Sequence, residues 1–182
     1  MSMKKAILAG GCFWCTEAIY KRLRGITAVT PGYTGGETKN PTYETVSRGT
    51  TGYAEAVDVE YDSAVISYEK ILDVFFHTHN PTTLNQQGAD VGTQYRSAVF
   101  YMDEAEKEIT ERVMKELETE EVYTDKIVTE ITPFTHFYPA ENYHHDYYDR
   151  NQGQGYCTIV INPKIAKLMK DYAADVKDEF QK

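Results

Sequence analysis

The chain has 182 residues, three cysteines and a formal net charge of -9 at pH 7. This length is typical of one domain that buries its core without disulfides, so we expect a single domain over residues 1–182. The acidic balance excludes a nucleic-acid-binding surface, which needs clustered Lys and Arg, and no apolar run is long enough to span a membrane. The odd number of cysteines and the polar N-terminus predict a soluble protein in the reducing cytoplasm.

The first quarter of the chain is predicted to form a strand, a helix and a second strand. Residues 4–9 are an apolar run followed by two glycines, and the stretch 12–23 is helical up to Gly25. Residues 26–33 are strand-like. A glycine-bearing loop over 34–41 follows, of the length that compact domains use for functional or mobile segments.

Residues 54–61 alternate small or apolar residues with acidic ones, which predicts a half-buried strand. An acid in such a strand most simply faces solvent. Glu55, however, has the opposite parity to Asp58 and Glu60 and shares its side of the strand with Val57. We therefore expect Glu55 to face the apolar side, where desolvation raises its pKa and leaves a neutral acid that can donate a proton.

The rest of the chain interleaves helical and strand patterns. The predicted helices cover 67–77, 103–118 and 141–148 and begin again at Pro163, and the predicted strands cover 95–102, 126–131 and 158–161. This alternation predicts an α/β two-layer sandwich with a mixed or antiparallel sheet.

The stretch from Cys12 to Cys15 places two cysteines one helical turn apart, with Phe13 and Trp14, the only tryptophan, between them. At a helix N-terminus, unpaired N–H groups and the helix dipole favour a thiolate, so we expect a lowered pKa for Cys12. The alternative is that these cysteines are buried small hydrophobes. A Cys-x-x-Cys pair at a helix start favours redox chemistry.

Cys157 supplies a third thiol, in the glycine-bearing stretch 151–157. Glycines give such a segment the freedom to bring a distant thiol to Cys12 in one redox state. A sulfenic acid at Cys12 needs a second thiol to escape over-oxidation. The alternative is an ordinary turn before the predicted strand.

Two further polar groups are candidates for a site. Residues 90–97 open a strand after a polar loop, and a turn with an edge strand explains them equally well. The histidines near Glu141, or His77 and His79 with the thiols, suggest a metal site. Only one close ligand pair is clear, whereas a structural zinc site usually has two, so the pattern disfavours a metal.

Seven segments of the chain, in order, resemble the A-type peptide methionine sulfoxide reductases and together cover most of its length. They are Gly11-Cys12-Phe13-Trp14, Gly32-Tyr33-x-Gly35-Gly36, Asn40-Pro41-Thr42-Tyr43, Gly52-x-Ala54-Glu55-Ala56-Val57, Gly92-Thr93-Gln94-Tyr95-Arg96-Ser97, Phe137-x-x-Ala140-Glu141-x-x-His144 and Gly155-Tyr156-Cys157. The resemblance implies an α/β fold with a ferredoxin-like core and no metal or organic cofactor. It also implies reduction of methionine S-sulfoxide, free or in proteins.

The resemblance further implies roles for individual residues. Cys12 attacks the sulfoxide sulfur, and Glu55 protonates the sulfoxide oxygen. Tyr43 and Tyr95 donate hydrogen bonds to that oxygen.

The remaining carried-over residues bind substrate. Phe13 and Trp14 enclose the methyl group, and Asp90 and His144 position the substrate backbone and the pocket. The segment of about 140–182 then carries a resolving cysteine.

The main departure from the family pattern is Cys15, where glycine is common; His145 and Tyr148 also differ from the usual tail motif. Cys157 fits the usual resolving position, so we expect it to pair with Cys12 first, with Cys15 as a secondary partner. Thioredoxin, or another dithiol reductant, then reduces the disulfide.

Two other functions compete with this one. A thioredoxin-like thiol-disulfide oxidoreductase also uses Cys-x-x-Cys at a helix start, but its fold needs a strand and a helix before the motif, and Cys12 comes too early. A module that binds thioether or sulfoxide side chains without turnover has no need of an acid such as Glu55 on an apolar face.

Overall fold

The computed structural model describes residues 2–181, which form eight strands and six α-helices joined by shorter helical turns. The strands are β1 (Met3–Gly10), β2 (Ile26–Thr34), β3 (Ala54–Asp62), β4 (Gln86–Gln87), β5 (Asp90–Val91), β6 (Ser97–Tyr101), β7 (Glu130–Pro133) and β8 (Phe137–Pro139). The helices are α1 (Phe13–Lys21), α2 (Tyr43–Ser47), α3 (Tyr68–Thr78), α4 (Glu104–Thr119), α5 (Tyr147–Arg150) and α6 (Asn162–Asp171).

Six strands make one sheet in the order β7-β6-β1-β3-β2-β8, while β4 and β5 form a small separate hairpin. All neighbours in the large sheet are antiparallel except β6 and β7, which are parallel. The sheet is therefore mixed. Its centre is β1 and β3, so the last residues of β1 and the first residues of β3 meet inside the protein.

Both faces of the sheet are buried. The larger core contains Leu8 and Val57 with residues of α1, α3 and α4, such as Tyr20, Phe75 and Val113. The opposite face is covered by a smaller cluster in which alanines predominate, with phenylalanines of β6 and the β7–β8 region. A strand buried on both faces leaves few polar positions, so a polar residue in β3 stands out.

Helix capping follows the sequence closely. The Ser67 hydroxyl accepts a hydrogen bond from Lys70 N–H at 3.1 Å, and Asp103 accepts one from Glu106 N–H at 2.9 Å. Side-chain acceptors of this kind satisfy the free N–H groups of a first helical turn. The predicted starts of α3 and α4 are confirmed to within one residue.

Three predicted elements in the second half differ from the structure. Residues 126–129 precede the strand instead of forming it, because Val128 N–H bonds to the Pro81 carbonyl at 2.8 Å. The predicted helix over 141–148 is interrupted at Asp146, whose φ of 55° is left-handed. The predicted strand over 158–161 is wrong.

That last segment forms a π-helical turn, Cys157–Ile161, which runs directly into α6. Its β-branched residues favour a strand locally, but Cys157 and Ile161 are completely buried in a cluster with Cys15 and Ala18 of α1. Burial of this face against α1 overrides the local preference. Within the described residues, no helix is both long enough and apolar enough to cross a membrane.

Candidate active site

The site begins where β1 ends. Gly11 has a φ of 93°, and Cys12 follows as the N-cap residue of α1. A Cβ on Gly11 would lie 2.6 Å from the Gln87 side chain, so only glycine lets the β4–β5 hairpin close over this turn. The hairpin brings Asp90 to the start of α1.

Glu55 lies in the dry interior beside this turn. Only 2% of the residue is exposed, and its Oε2 accepts a hydrogen bond from Phe13 N–H at 3.1 Å. Burial raises the pKa of Glu55 to about 8, and the hydrogen bond from Phe13 opposes this only in part. The carboxyl is thus mainly protonated at neutral pH, and its predicted burial on the apolar side of β3 is confirmed.

The expected lowering of the Cys12 pKa is not found. Cys12 does lie at the N-terminus of α1, but it is buried, and burial raises the pKa of its thiol well above the usual value. The neighbouring Cys15 and Glu55 raise it further. The favourable effect of the helix terminus is outweighed here by desolvation of the buried thiol.

Cys15 carries the opposite shift. A hydrogen bond from Cys12 lowers the pKa of the Cys15 thiol, against desolvation, and Lys164 of α6 lowers it further. The Cys15 Sγ also lies 4.0 Å from the Tyr156 hydroxyl. The two thiols of the motif therefore form one interacting pair in the reduced protein, in which all three cysteines are free.

A cavity of about 180 Å³ opens beside these groups. Its lining combines a thiol, the buried acid, aromatic rings and one further carboxylate: Cys12, Phe13, Trp14, Tyr43, Glu55, Asp90, Tyr95 and Tyr156. Seven of these eight are residues singled out from the sequence; the eighth is Tyr156. The volume suits a small group such as a methyl sulfoxide rather than a large ligand.

Tyr43 and Tyr95 reach the cavity from two different supports. Tyr43 begins α2, where its backbone N–H bonds to both Glu141 oxygens at 3.2 Å. Tyr95 ends a 3₁₀ turn that Arg96 ties to the Gly52 carbonyl at 3.0 Å. Burial and the nearby Glu55 raise the pKa of both phenols, so both remain O–H donors at neutral pH.

His144 lies behind the aromatic wall rather than in the cavity lining. Its Nδ1 accepts a hydrogen bond from Trp14 Nε1–H at 3.0 Å, and its ring lies 5.0 Å from that of Phe13 and 4.5 Å from that of Tyr43. Burial lowers the pKa of His144, so the ring is neutral. Its position fits the pocket-positioning role implied by the family resemblance.

Cys157 lies next to the other thiols although it is far away in sequence. It is fully buried in an apolar cluster that also contains Cys12, Cys15 and Ala18. Burial raises the pKa of its thiol. The structure therefore places Cys157 in one cluster with Cys12 and with Cys15 of α1.

Two residues of the site had no assigned role in the reaction. The Tyr156 hydroxyl donates to Asp90 Oδ2 at 2.6 Å and touches the thiol pair. Glu141 accepts hydrogen bonds from the Tyr33 hydroxyl and from the Tyr43 backbone. In the sequence, only their position inside two of the seven family segments indicates that Tyr156 and Glu141 belong to the site. In residues 2–181 no group of three or more His, Cys, Asp or Glu side chains could hold a metal ion.

The chain is similar to known proteins over almost its whole length. A family model described as peptide methionine sulfoxide reductase matches residues 4–177. The chain is 53% identical over 175 residues to the peptide methionine sulfoxide reductase MsrA of Saccharolobus solfataricus, covering 96% of this chain and 98% of that protein.

Solved structures of methionine sulfoxide reductases have a similar fold. Reduced Mxr1 from Saccharomyces cerevisiae superposes with a TM-score of 0.78 at 36% identity, covering 86% of this chain and 90% of that chain. Mxr1 in complex with Trx2 superposes with a TM-score of 0.56 at 28% identity, covering 80% and 85%. From its sequence and its fold, the chain belongs to the peptide methionine sulfoxide reductase family.

Proposed function

We propose that this protein reduces the S epimer of methionine sulfoxide, free or in oxidised proteins, and is recycled by thioredoxin or another dithiol. The observation that carries the proposal is the shared cavity of Cys12 and Glu55. A thiol nucleophile beside a protonated acid is what sulfoxide reduction requires, because the oxygen leaves sulfur only when it is protonated.

In the first step, the Cys12 thiolate attacks the sulfoxide sulfur while Glu55 gives its proton to the oxygen. Tyr43 and Tyr95 donate hydrogen bonds to the same oxygen as negative charge develops on it. The oxygen and its proton end on Cys12 as a sulfenic acid, and methionine leaves. Sulfur in the substrate is reduced, and the Cys12 sulfur is oxidised.

The cavity walls explain the choice of substrate. Phe13 and Trp14 give an apolar surface for the methyl group, and Asp90 adds oxygens that can accept a hydrogen bond from a main-chain N–H of the substrate. An anionic group would lose its hydration against these rings without an ion pair in return. The pocket therefore favours a neutral methyl sulfoxide.

In the second step, a resolving thiol attacks the sulfenic sulfur, water leaves, and a disulfide forms. Cys157 and Cys15 both lie in the cluster around Cys12, and we keep Cys157 as the first partner and Cys15 as the second. Thioredoxin then reduces the disulfide by exchange. The solved complex of Mxr1 with Trx2 supports this choice of reductant.

We also propose that residues 1–182 act as one catalytic domain with a ferredoxin-like core and work in the cytoplasm. The order β6-β1-β3-β2, with α1 after β1 and α3 after β3, supports the core. One large sheet supports the assignment of one domain. The segment of about 140–182 adds the proposed resolving cysteine and, among the described residues, no further strand. Three free thiols suit a reducing compartment.

The test mixes the protein with a peptide containing one methionine sulfoxide of defined configuration and with dithiothreitol. We expect methionine from the S epimer, many equivalents per protein, and none from the R epimer. A thioredoxin-like oxidoreductase would instead reduce an added protein disulfide, and a binding module would retain the peptide without releasing methionine. Either of those outcomes contradicts the proposed function.

A further inference from the structure

Glu17 is a second buried carboxylate, and the reaction steps above do not use it. It lies on α1 with 1% exposure, and its Oε1 accepts a hydrogen bond from Asp146 N–H at 2.9 Å. Burial raises the pKa of Glu17 to about 7, and this hydrogen bond opposes the rise. Burying a carboxyl group is costly unless it has hydrogen-bond partners, so this backbone contact indicates a specific task.

The backbone that Glu17 holds belongs to a turn that encloses Trp14. His144 accepts the indole N–H at 3.0 Å, and the Tyr147 ring stacks on the indole with centroids 3.7 Å apart and planes 7° apart. Between these two contacts lies Asp146, whose left-handed φ costs energy in a residue other than glycine. The turn therefore needs an external contact to keep its shape.

Other contacts at this junction join side chains to one another. Lys21 pairs with Asp146 and Asp149, and the buried Arg22 pairs with Asp149 at 2.7 Å. The Asp146 side chain is 54% exposed, and ion pairs at such positions contribute little. Of these contacts, only that of Glu17 is made to the backbone of the turn itself.

We propose that Glu17 is a positioning residue for the methyl-binding wall: it fixes the 146–147 backbone so that His144 and Tyr147 hold Trp14 in its substrate-binding orientation. Glu17 and Trp14 lie on the same helix, so the carboxylate ties the C-terminal turn to the helix that carries the indole. The inference rests on the proposed function for its effect on substrate, but its effect on Trp14 is independent of turnover.

The experiment uses Trp14 as its own reporter, because it is the only tryptophan in the chain. Glu17→Asp shortens the side chain and withdraws its carboxyl group from the Asp146 N–H, whereas Glu17→Gln keeps an acceptor oxygen at the same reach. We expect Glu17→Asp to shift Trp14 emission to longer wavelength and to raise KM for the sulfoxide peptide about tenfold, with a smaller change in kcat. Glu17→Gln should keep the wild-type emission and a KM within about threefold of wild type.

Glu69→Gln, at an exposed position that pairs with Arg112, is the matched control and should change neither readout. Circular dichroism and thermal melting check that each variant is folded at the assay temperature. Wild-type emission and KM in folded Glu17→Asp would overturn the proposal, as would Glu17→Gln behaving like Glu17→Asp. If the wild-type protein releases no methionine, the proposed function fails, while the emission contrast still tests the role of Glu17.

Discussion

The strand ends that carry the attacking groups and the C-terminal segment of about 140–182 are held in place by different forces. Glu55 lies in a strand paired on both sides, and Cys12 follows the central strand of the same sheet. The C-terminal segment contacts the rest through helical turns, buried side chains and α1, and Gly153 and Gly155 on it have open space around them. Cys12 and Glu55 are therefore fixed by the sheet, whereas Cys157, the proposed resolving thiol, is held by the packing of side chains against α1.

Among the groups held by the sheet, Cys12→Ser should have the largest effect. The hydroxyl is far less nucleophilic than a thiolate, so we expect methionine release to fall by at least about 10³-fold, below detection. Chromatographic assay of methionine from the sulfoxide peptide measures this. Appreciable turnover would assign the attack on the sulfoxide sulfur to Cys15. The contrast between the sheet and the C-terminal segment would then no longer hold.

Glu55→Gln tests proton donation without removing a contact, because the amide oxygen can still accept a hydrogen bond from the Phe13 N–H. The side chain can no longer supply an acidic proton. We expect kcat to fall by about 10² to 10⁴-fold while KM stays within a few fold. An unchanged kcat in single-turnover kinetics would exclude proton donation by Glu55.

Cys157→Ser tests the C-terminal segment. We expect one equivalent of methionine at the wild-type rate, because the attacking groups are unchanged, and then loss of thioredoxin-supported turnover by about tenfold or more. Cys15→Ser is the matched variant and should cycle much faster than Cys157→Ser. Peptide mapping after one turnover should find a Cys12–Cys157 disulfide, and a sole Cys12–Cys15 disulfide would contradict the assigned order.

The smallest expected effect is the dependence of kcat/KM on pH. Burial raises the pKa of both Glu55, to about 8, and Cys12, and the active form holds one proton between them. We expect kcat/KM to rise as the first proton leaves near pH 8 and to fall when the second leaves at higher pH. Glu55→Gln should lose the falling limb and keep a rise set by Cys12. A falling limb that persists in this variant would assign it to another group.

The sequence predicts the central sheet better than it predicts the C-terminal segment. Glu55 could be placed on the Val57 side of β3, which packs in the larger core, because a strand paired on both sides keeps its alternation. The β-branched run 158–161 was misassigned because contacts with α1 decide its shape. The raised pKa of Cys12 depends on Glu55, Cys15 and the covering segments, and a local pattern contains none of these.

The π-helical turn Cys157–Ile161 sets the angle at which the third thiol faces α1. Such a turn holds one residue more than an α-helical turn, and Ile159 within it is 75% exposed. Deleting that residue would convert the turn into ordinary helix and rotate Cys157 by about 100° relative to α6. One residue therefore sets the direction in which this segment presents its thiol to α1.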